Sequence, residues 1–343
     1  MPNQLFTNAV NRIPQKTPPI WFMRQAGRYH SHYQTLKKRH SFGELCKTPK
    51  LAAQTALGPI NEFDFDVAIL FSDILFPLEA LGMKLEFNPG PIFKNLLKSD
   101  NYHELTSPKE AIRQMEFQGE AIRQTRDLLD NEKSLIGFVG GPWTVLSYAV
   151  GINKGEFYEE GFHNEFLNKA LYEKIFPLIK KNISLQLNSG AEIIMIFDTS
   201  AGSISDKETY EIYSRDIYKH LIEPHDGKVG YFSKHPFESE FFMQEMNNSE
   251  TKLAGIGVDQ NKTLSYWLNN TNTGFIQGNF NPETLSKPLD DFKRDFDEYI
   301  GQVESMSEEE RSGWVCGLGH GVLKTTPEEN VHFFIRKIRE IFR

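Results

Sequence analysis

Eight short apolar runs punctuate the chain: Ile20–Met23, Val67–Phe71, Leu135–Val139, Ile193–Phe197, Val229–Phe232, Leu253–Val258, Phe275–Gln277 and Trp314–Leu318. They are continuous rather than alternating, the pattern of parallel strands covered on both faces. Seven of the eight are separated by helical segments. Thr48-Pro49 places a capping hydroxyl before a proline at a first helical position, followed by Ala52, Ala56, Ile60 and Phe63 on one stripe. Ser107 to Glu110, Ser205 to Glu208 and Thr326 to Glu329 each fit a capping box. The last opens a helix with Val331, Phe334, Ile335, Ile338 and Ile341 on its buried face. Asn164 to Leu187 reads as a helix split or kinked at Pro177, and Asn261 to Asn270 as a short, weak one. This alternation predicts an α/β fold, a single-domain (β/α)8 TIM barrel over residues 1–343, with 1–17 as an N-terminal extension. A doubly wound open sheet with a second domain would need a Gly-rich nucleotide turn after the first strand and a linker. Neither is present.

Composition narrows the function. The 343 residues carry 38 Lys and Arg against 46 Asp and Glu, a net charge of −8, which argues against nucleic-acid or anionic-membrane binding but permits a local basic pocket. At 39% hydrophobic and 13% aromatic residues, the chain can bury a large core. Two cysteines, Cys46 and Cys316, exclude a disulfide scaffold and a Cys-rich metal site. No secretory leader or run of about 18 apolar residues is evident, so the chain reads as soluble and cytoplasmic.

In a barrel, chemistry gathers where strands end. Those ends carry Arg24 and Arg28, then Ser72-Asp73, then Gly140 to Thr144 with Ser147-Tyr148, then Asp198 to Gly202. Lys234-His235, Asp259-Gln260, Gln277 to Asn279 and Gly319-His320-Gly321 complete the set. Ionisable or polar groups at all eight ends favour an enzyme. Neither cysteine has a histidine two residues away, so a zinc site is not evident. No Ser/His/acid constellation or phosphate loop stands out.

Several blocks are similar to the uroporphyrinogen decarboxylase family: Trp21 to Tyr29, Ala68 to Leu75 with Glu79 to Met83, Ile136 to Pro142 with Ser147-Tyr148, and Phe197 to Gly202. Gln277 to Asn279, Gly319 to Leu323 and Thr326 to Asn330 continue the resemblance across residues 18–335. It implies a cofactor-free (β/α)8 carboxy-lyase of haem and tetrapyrrole biosynthesis, a cytosolic homodimer. The small-molecule substrate would be uroporphyrinogen III, whose four acetate side chains lose CO2 to give coproporphyrinogen III.

Carried over residue by residue, the resemblance implies a site of Arg24, Arg28, Asp73, Tyr148, Thr199 and His320. Asp73, Arg24 and Tyr148 would be catalytic. Arg24 and Arg28 would bind carboxylates through planar forks, with Arg24 a candidate proton donor. Asp73 would accept from pyrrole N–H groups and stabilise the ring cation. Tyr148 would bond a substrate carboxylate or Asp73, and His320 would hold a carboxylate at the rim. Asp198 and Asp259 stand equally as caps of the following helix, partners of a cation or substrate contacts. Lys37, Lys38 and Arg39 read as a solvated charge run. Thr199 stands where the family usually has serine, Gln260 where it has tryptophan, and His30-Ser-His32 where it has Leu-Pro-Glu. The alternative is a zinc- and cobalamin-linked methyltransferase of the same superfamily, which would need a His-x-Cys and a distant Cys that this sequence lacks.

Overall fold

The apolar runs form the strands of a computed structural model that describes residues 3–151, 164–234 and 239–343. In chain order these are β1 (Val67–Ile69), β2 (Leu85–Phe87), β3 (Pro91–Phe93), β4 (Ser134–Gly140), β5 (Ile194–Phe197), β6 (Val229–Phe232), β7 (Leu253–Gly257), β8 (Phe275–Phe280) and β9 (Trp314–Leu318). Seven make one curled parallel sheet in the order β1-β4-β5-β6-β7-β8-β9, every neighbouring pair parallel. Helices connect successive strands, as crossovers between parallel neighbours require.

The first predicted strand, Ile20–Met23, is corrected to a single bridge. Ile20 pairs in parallel with Cys316 of β9, its carbonyl accepts from the Asp66 N–H, and its own N–H donates to Asp66 Oδ2 at 2.7 Å. On the other side its neighbours carry the bonds to β9: the Trp21 N–H donates to the Cys316 carbonyl at 3.0 Å and the Pro19 carbonyl accepts from the Cys316 N–H at 2.8 Å. Extension stops because Pro18 and Pro19 precede the run, and because the chain leaves the sheet at Arg24, where φ is 59°.

β2 and β3 form an antiparallel hairpin whose turn is Asn88 to Gly90. Thr48 and Thr326 make no capping bond, although Pro49 does occupy the start of the Pro49–Phe63 helix. Asp206, rather than Ser205, caps the Lys207–Ile217 helix. Ser107 accepts from the Glu110 N–H but does not complete a reciprocal box, whereas Ser41 and Glu44 do. The helix predicted through Pro177 is split into Glu165–Lys169, a wide turn over Ala170–Ile175, and Phe176–Asn188.

Two apolar layers hold the sheet. Its outer face packs against the helices, and its inner face gathers Met23, Val67, Ile136, Met195, Phe232 and Phe275. The N-terminal extension belongs to this inner layer. The Gln4–Val10 helix, capped by Asn3, brings Phe6 to 6.0 Å from Phe275. Arg12 donates to the carbonyls of Gly274 and Ser312, which precede β8 and β9. The helix therefore covers the N-terminal ends of the strands and leaves the opposite ends open. Among the described residues no helix is long and apolar enough to cross a membrane.

Candidate active site

A cavity of about 200 Å³ opens at the C-terminal ends of β1, β4, β5, β6 and β9. Arg24, Asp73, Thr199 and His320 line it, with Ile69, Phe138, Phe197 and Phe232 forming an apolar floor. The aromatic part of that floor is continuous. Phe138 and Phe197 are 5.7 Å apart, Phe197 and Phe232 6.2 Å, and Phe232 and His320 5.9 Å.

Asp73 follows β1 at the turn into the Phe76–Ala80 helix. One oxygen, Oδ1, accepts from the Leu75 N–H at 2.9 Å. Gln118 donates to the neighbouring Ser72 hydroxyl at 2.8 Å, which fixes the turn from the other side. Loss of hydration pushes the Asp73 pKa from an ordinary 3.8 up to about 6, opposed by the Leu75 bond and by the Arg24 charge.

Arg24 occupies the left-handed backbone region, uncommon for a residue with a side chain, at the tight turn that ends the Ile20–Met23 run. The turn is held by the Gln25 N–H to the Phe22 carbonyl and by Gln25 Nε2 to the Val67 carbonyl at 3.0 Å. Its side chain crosses Gly321, where a Cβ would lie 2.5 Å from Arg24 Cδ. Gly319 is required on the other flank, since a Cβ there would meet Gln260 Oε1 at 2.7 Å. The glycines around His320 thus serve close packing. The protein around the guanidinium strips part of its hydration and pushes its pKa down; Tyr148 and Asp73 oppose the fall and Arg28 adds to it.

Tyr148 stands near the C-terminal end of the Pro142–Ala149 helix. Burial raises its pKa, the Asp73 charge raises it further and Arg24 opposes, so the phenol keeps its proton and remains a donor. Arg28 and Tyr148 are not on the cavity wall; they act on Arg24 electrostatically. Of the six predicted site residues, four therefore line one cavity and two stand beside it.

Other strand-end residues fall elsewhere. Gln260 and Asn279 line a separate cavity of about 270 Å³ that holds none of the six. His235 lies outside the described residues. Asp259 holds its own turn, accepting from the Asn261 N–H at 3.0 Å. Asp198 caps the Pro142–Ala149 helix, not the helix that follows it, by accepting from the Thr144 N–H at 2.9 Å. Lys37, Lys38 and Arg39 are exposed. His30 is buried against Phe63 at 4.9 Å with no hydrogen-bond partner on either ring nitrogen, and burial pushes its pKa down.

The reading of polar strand ends overlooked Gln25 and the aromatic floor. Phe138, Phe197 and Phe232 each stand in the last half of a strand, and large aromatics at that register were the available signal.

Both cysteines are buried, and desolvation raises each thiol well above its ordinary value, which disfavours a metal-binding thiolate. Among the described residues no group of three or more His, Cys, Asp or Glu is placed to hold a metal ion.

A family model described as uroporphyrinogen decarboxylase (URO-D) matches residues 1–341. The chain belongs to the uroporphyrinogen decarboxylase family. A uroporphyrinogen decarboxylase of Orientia tsutsugamushi (strain Ikeda) is 36% identical over 345 residues, covering 96% of each chain. One from Pelobacter propionicus is 32% identical over 354 residues, covering 99% of each. Among solved structures, a methyltransferase from Methanosarcina mazei superposes with a TM-score of 0.75 at 16% identity, over 99% of this chain and 100% of its own. That likeness shows the fold alone. The family match runs through both sides of the candidate cavity, from Arg24 to His320.

Proposed function

We propose that this cavity removes the carboxyl groups of the four acetate side chains of uroporphyrinogen III, giving coproporphyrinogen III and four CO2. The chain is a carboxy-lyase of porphyrin biosynthesis, as its family membership and full-length relatives support. The zinc and cobalamin methyltransferase reading is not favoured. The observation that carries the mechanism is one buried carboxylate, Asp73, on the same cavity wall as the Arg24 guanidinium over an apolar floor, with the Tyr148 phenol coupled to both electrostatically.

The chemistry follows from charge. Loss of CO2 from a pyrrole acetate leaves an electron pair that the ring must accept. Protonation of a ring carbon makes the ring cationic and able to take that pair. Asp73, ionised, accepts from the pyrrole N–H and stabilises the cation, and the poorly hydrated surroundings strengthen that attraction. Arg24 and Arg28 hold substrate carboxylates, and Arg24 is the candidate proton donor. Tyr148 donates to a carboxylate or to Asp73, Thr199 offers a hydroxyl from the turn after β5, and His320 holds a carboxylate at the rim. Each cycle consumes one proton and converts an acetate into a methyl group. The pyrrole serves as the electron sink, so no cofactor enters the scheme.

Wider proposals rest on the same membership. The sheet closes into a (β/α)8 barrel through the Pro19–Trp21 segment, supported by the bonds of Pro19 and Trp21 to Cys316 of β9 and of Ile20 to Asp66 before β1. The chain is one catalytic domain, a cytosolic homodimer whose stoichiometry sedimentation equilibrium would measure. The deciding experiment is anaerobic incubation with uroporphyrinogen III, then chromatography of the oxidised products. Seven-, six-, five- and four-carboxyl species are expected in succession. An unchanged eight-carboxyl pool overturns the reading.

A further inference from the structure

We infer that Asp198 is a positioning residue of the site, locking the helix that carries Tyr148 to the turn that carries Thr199. The inference rests on the decarboxylase reading above. It begins with a deficit at the start of the Pro142–Ala149 helix. The first N–H groups of a helix lack partners within it, and the residue at this N-cap is Gly141, which has no side chain to supply an acceptor.

Asp198 supplies it from the end of the next strand. Its Oδ1 accepts from the Thr144 N–H at 2.9 Å and from Thr144 Oγ1 at 2.7 Å. Its Oδ2 accepts from the Tyr213 hydroxyl at 2.5 Å, and that hydroxyl in turn accepts from the Trp143 N–H at 2.8 Å. One carboxylate, directly and through one phenol, therefore satisfies two N–H groups of the helix. Its negative charge also lies at the positive end of the helix dipole. Approach this close requires glycine at 141, because a Cβ there would sit 2.1 Å from Asp198 Cγ.

The link continues to the turn after β5. Thr144 Oγ1, having donated to Asp198, accepts from the Ser200 N–H at 2.9 Å. Ser147 Oγ reaches the Thr144 carbonyl at 2.8 Å and Ser200 Oγ at 3.3 Å. Asp198 itself lies between Phe197 and Thr199, both on the cavity wall, and is fully buried. A shift of this network would move Tyr148 and Thr199 relative to Asp73 without removing any group that touches substrate.

The test uses the rate of the first acetate loss from uroporphyrinogen III. Thr144→Val preserves shape but removes the hydroxyl that joins Asp198 to Ser200, and should lower kcat/KM by roughly 10- to 100-fold, the scale of a small misplacement. Thr144→Ser should recover most of that loss. The decisive readout is a cycle with Tyr148→Phe. If the network acts through Tyr148, Tyr148→Phe costs markedly less in the Thr144→Val protein than in the wild type. If the two losses simply multiply, or Thr144→Val is as active as wild type, the inference is overturned. Asp198→Asn should behave as Thr144→Val does where it folds, and the Thr144 cycle decides where it does not. A wild-type chain inactive on uroporphyrinogen III overturns the decarboxylase reading and this inference together, whereas an active wild type with multiplying losses overturns the inference alone.

Discussion

Asp73 holds a turn and, in the proposed mechanism, also stabilises the pyrrole cation, and substitution separates the two roles. Its Oδ1 holds the Leu75 N–H, which Asn would also accept, so Asp73→Asn should fold. What Asn cannot supply is charge under a pyrrole cation, and losing such a group costs about 10²–10³-fold in rate. An Asp73→Asn enzyme with near-wild-type turnover would return the residue to a purely structural role. The raised pKa sets a direction in pH as well. With a value of about 6 in the folded protein, the carboxylate is lost as pH falls through 6, so kcat/KM should drop on the acid side with that midpoint. Stability runs the opposite way. The folded chain holds this proton more tightly than the unfolded chain, whose Asp titrates near 3.8, so stability from this group falls as pH rises from about 4 to about 6. Wild-type melting temperature minus that of Asp73→Asn, measured across this range, should decrease with pH. At Arg24, lysine keeps the charge but not the planar fork, and Arg24→Lys should fold normally with kcat/KM lowered about 10²-fold. Full activity in that variant would dismiss bidentate recognition.

The turns at the strand ends determine where these groups point. Arg24 crosses Gly321 at a distance that excludes a methyl group, so Gly321→Ala must displace the arginine stem. The expected outcome is roughly a tenfold loss of kcat/KM with a melting temperature within a few degrees of wild type, since the obstruction is a side chain at the mouth of the cavity. A variant with unchanged kinetics would show that Arg24 can rearrange freely. Asp66 does a different job. It holds the Ile20 N–H at 2.7 Å and Arg339 at 2.8 Å, tying the bridge residue and the Glu328–Ile341 helix to the start of β1. Asp66→Ala should lower stability by about 2–3 kcal/mol, as loss of bonds to a charged group does, read as a shifted urea midpoint with unchanged slope.

For the molecule as a whole, a negative protein must bind a substrate with eight carboxylates. The net charge of −8 repels it at long range, and in the proposed mechanism Arg24 and Arg28 supply the local attraction. Raising salt should weaken both effects, so kcat/KM should change less with ionic strength than in Arg28→Ala, where Arg24 alone is left to offset the repulsion. Activity should also survive exhaustive dialysis against chelator. Turnover lost to chelation and restored by one metal would overturn the pyrrole-as-electron-sink mechanism.

The order of elements was legible because it is written in local pattern: continuous apolar runs, helical stripes and polar residues where runs end. Val229–Phe232 and Trp314–Leu318 were delimited to the residue. Arg24, Asp73, Thr199 and His320 were legible as strand-end residues, and the family blocks around them are contiguous in sequence. Local pattern could not show that Ile20–Met23 has room for one bridge only, since that depends on where β9, Asp66 and the Arg24 turn stand around it. Nor could it assign Asp198, whose partner Thr144 lies 54 residues away on another element. The ionisation of Asp73 belongs to the same class, because hydration is lost to surfaces that meet only in the folded chain. Sequence determined which groups are available and in what order. Tertiary structure decided which of them come within a few ångströms, and hydrogen bonding, packing and dielectric all act over that distance.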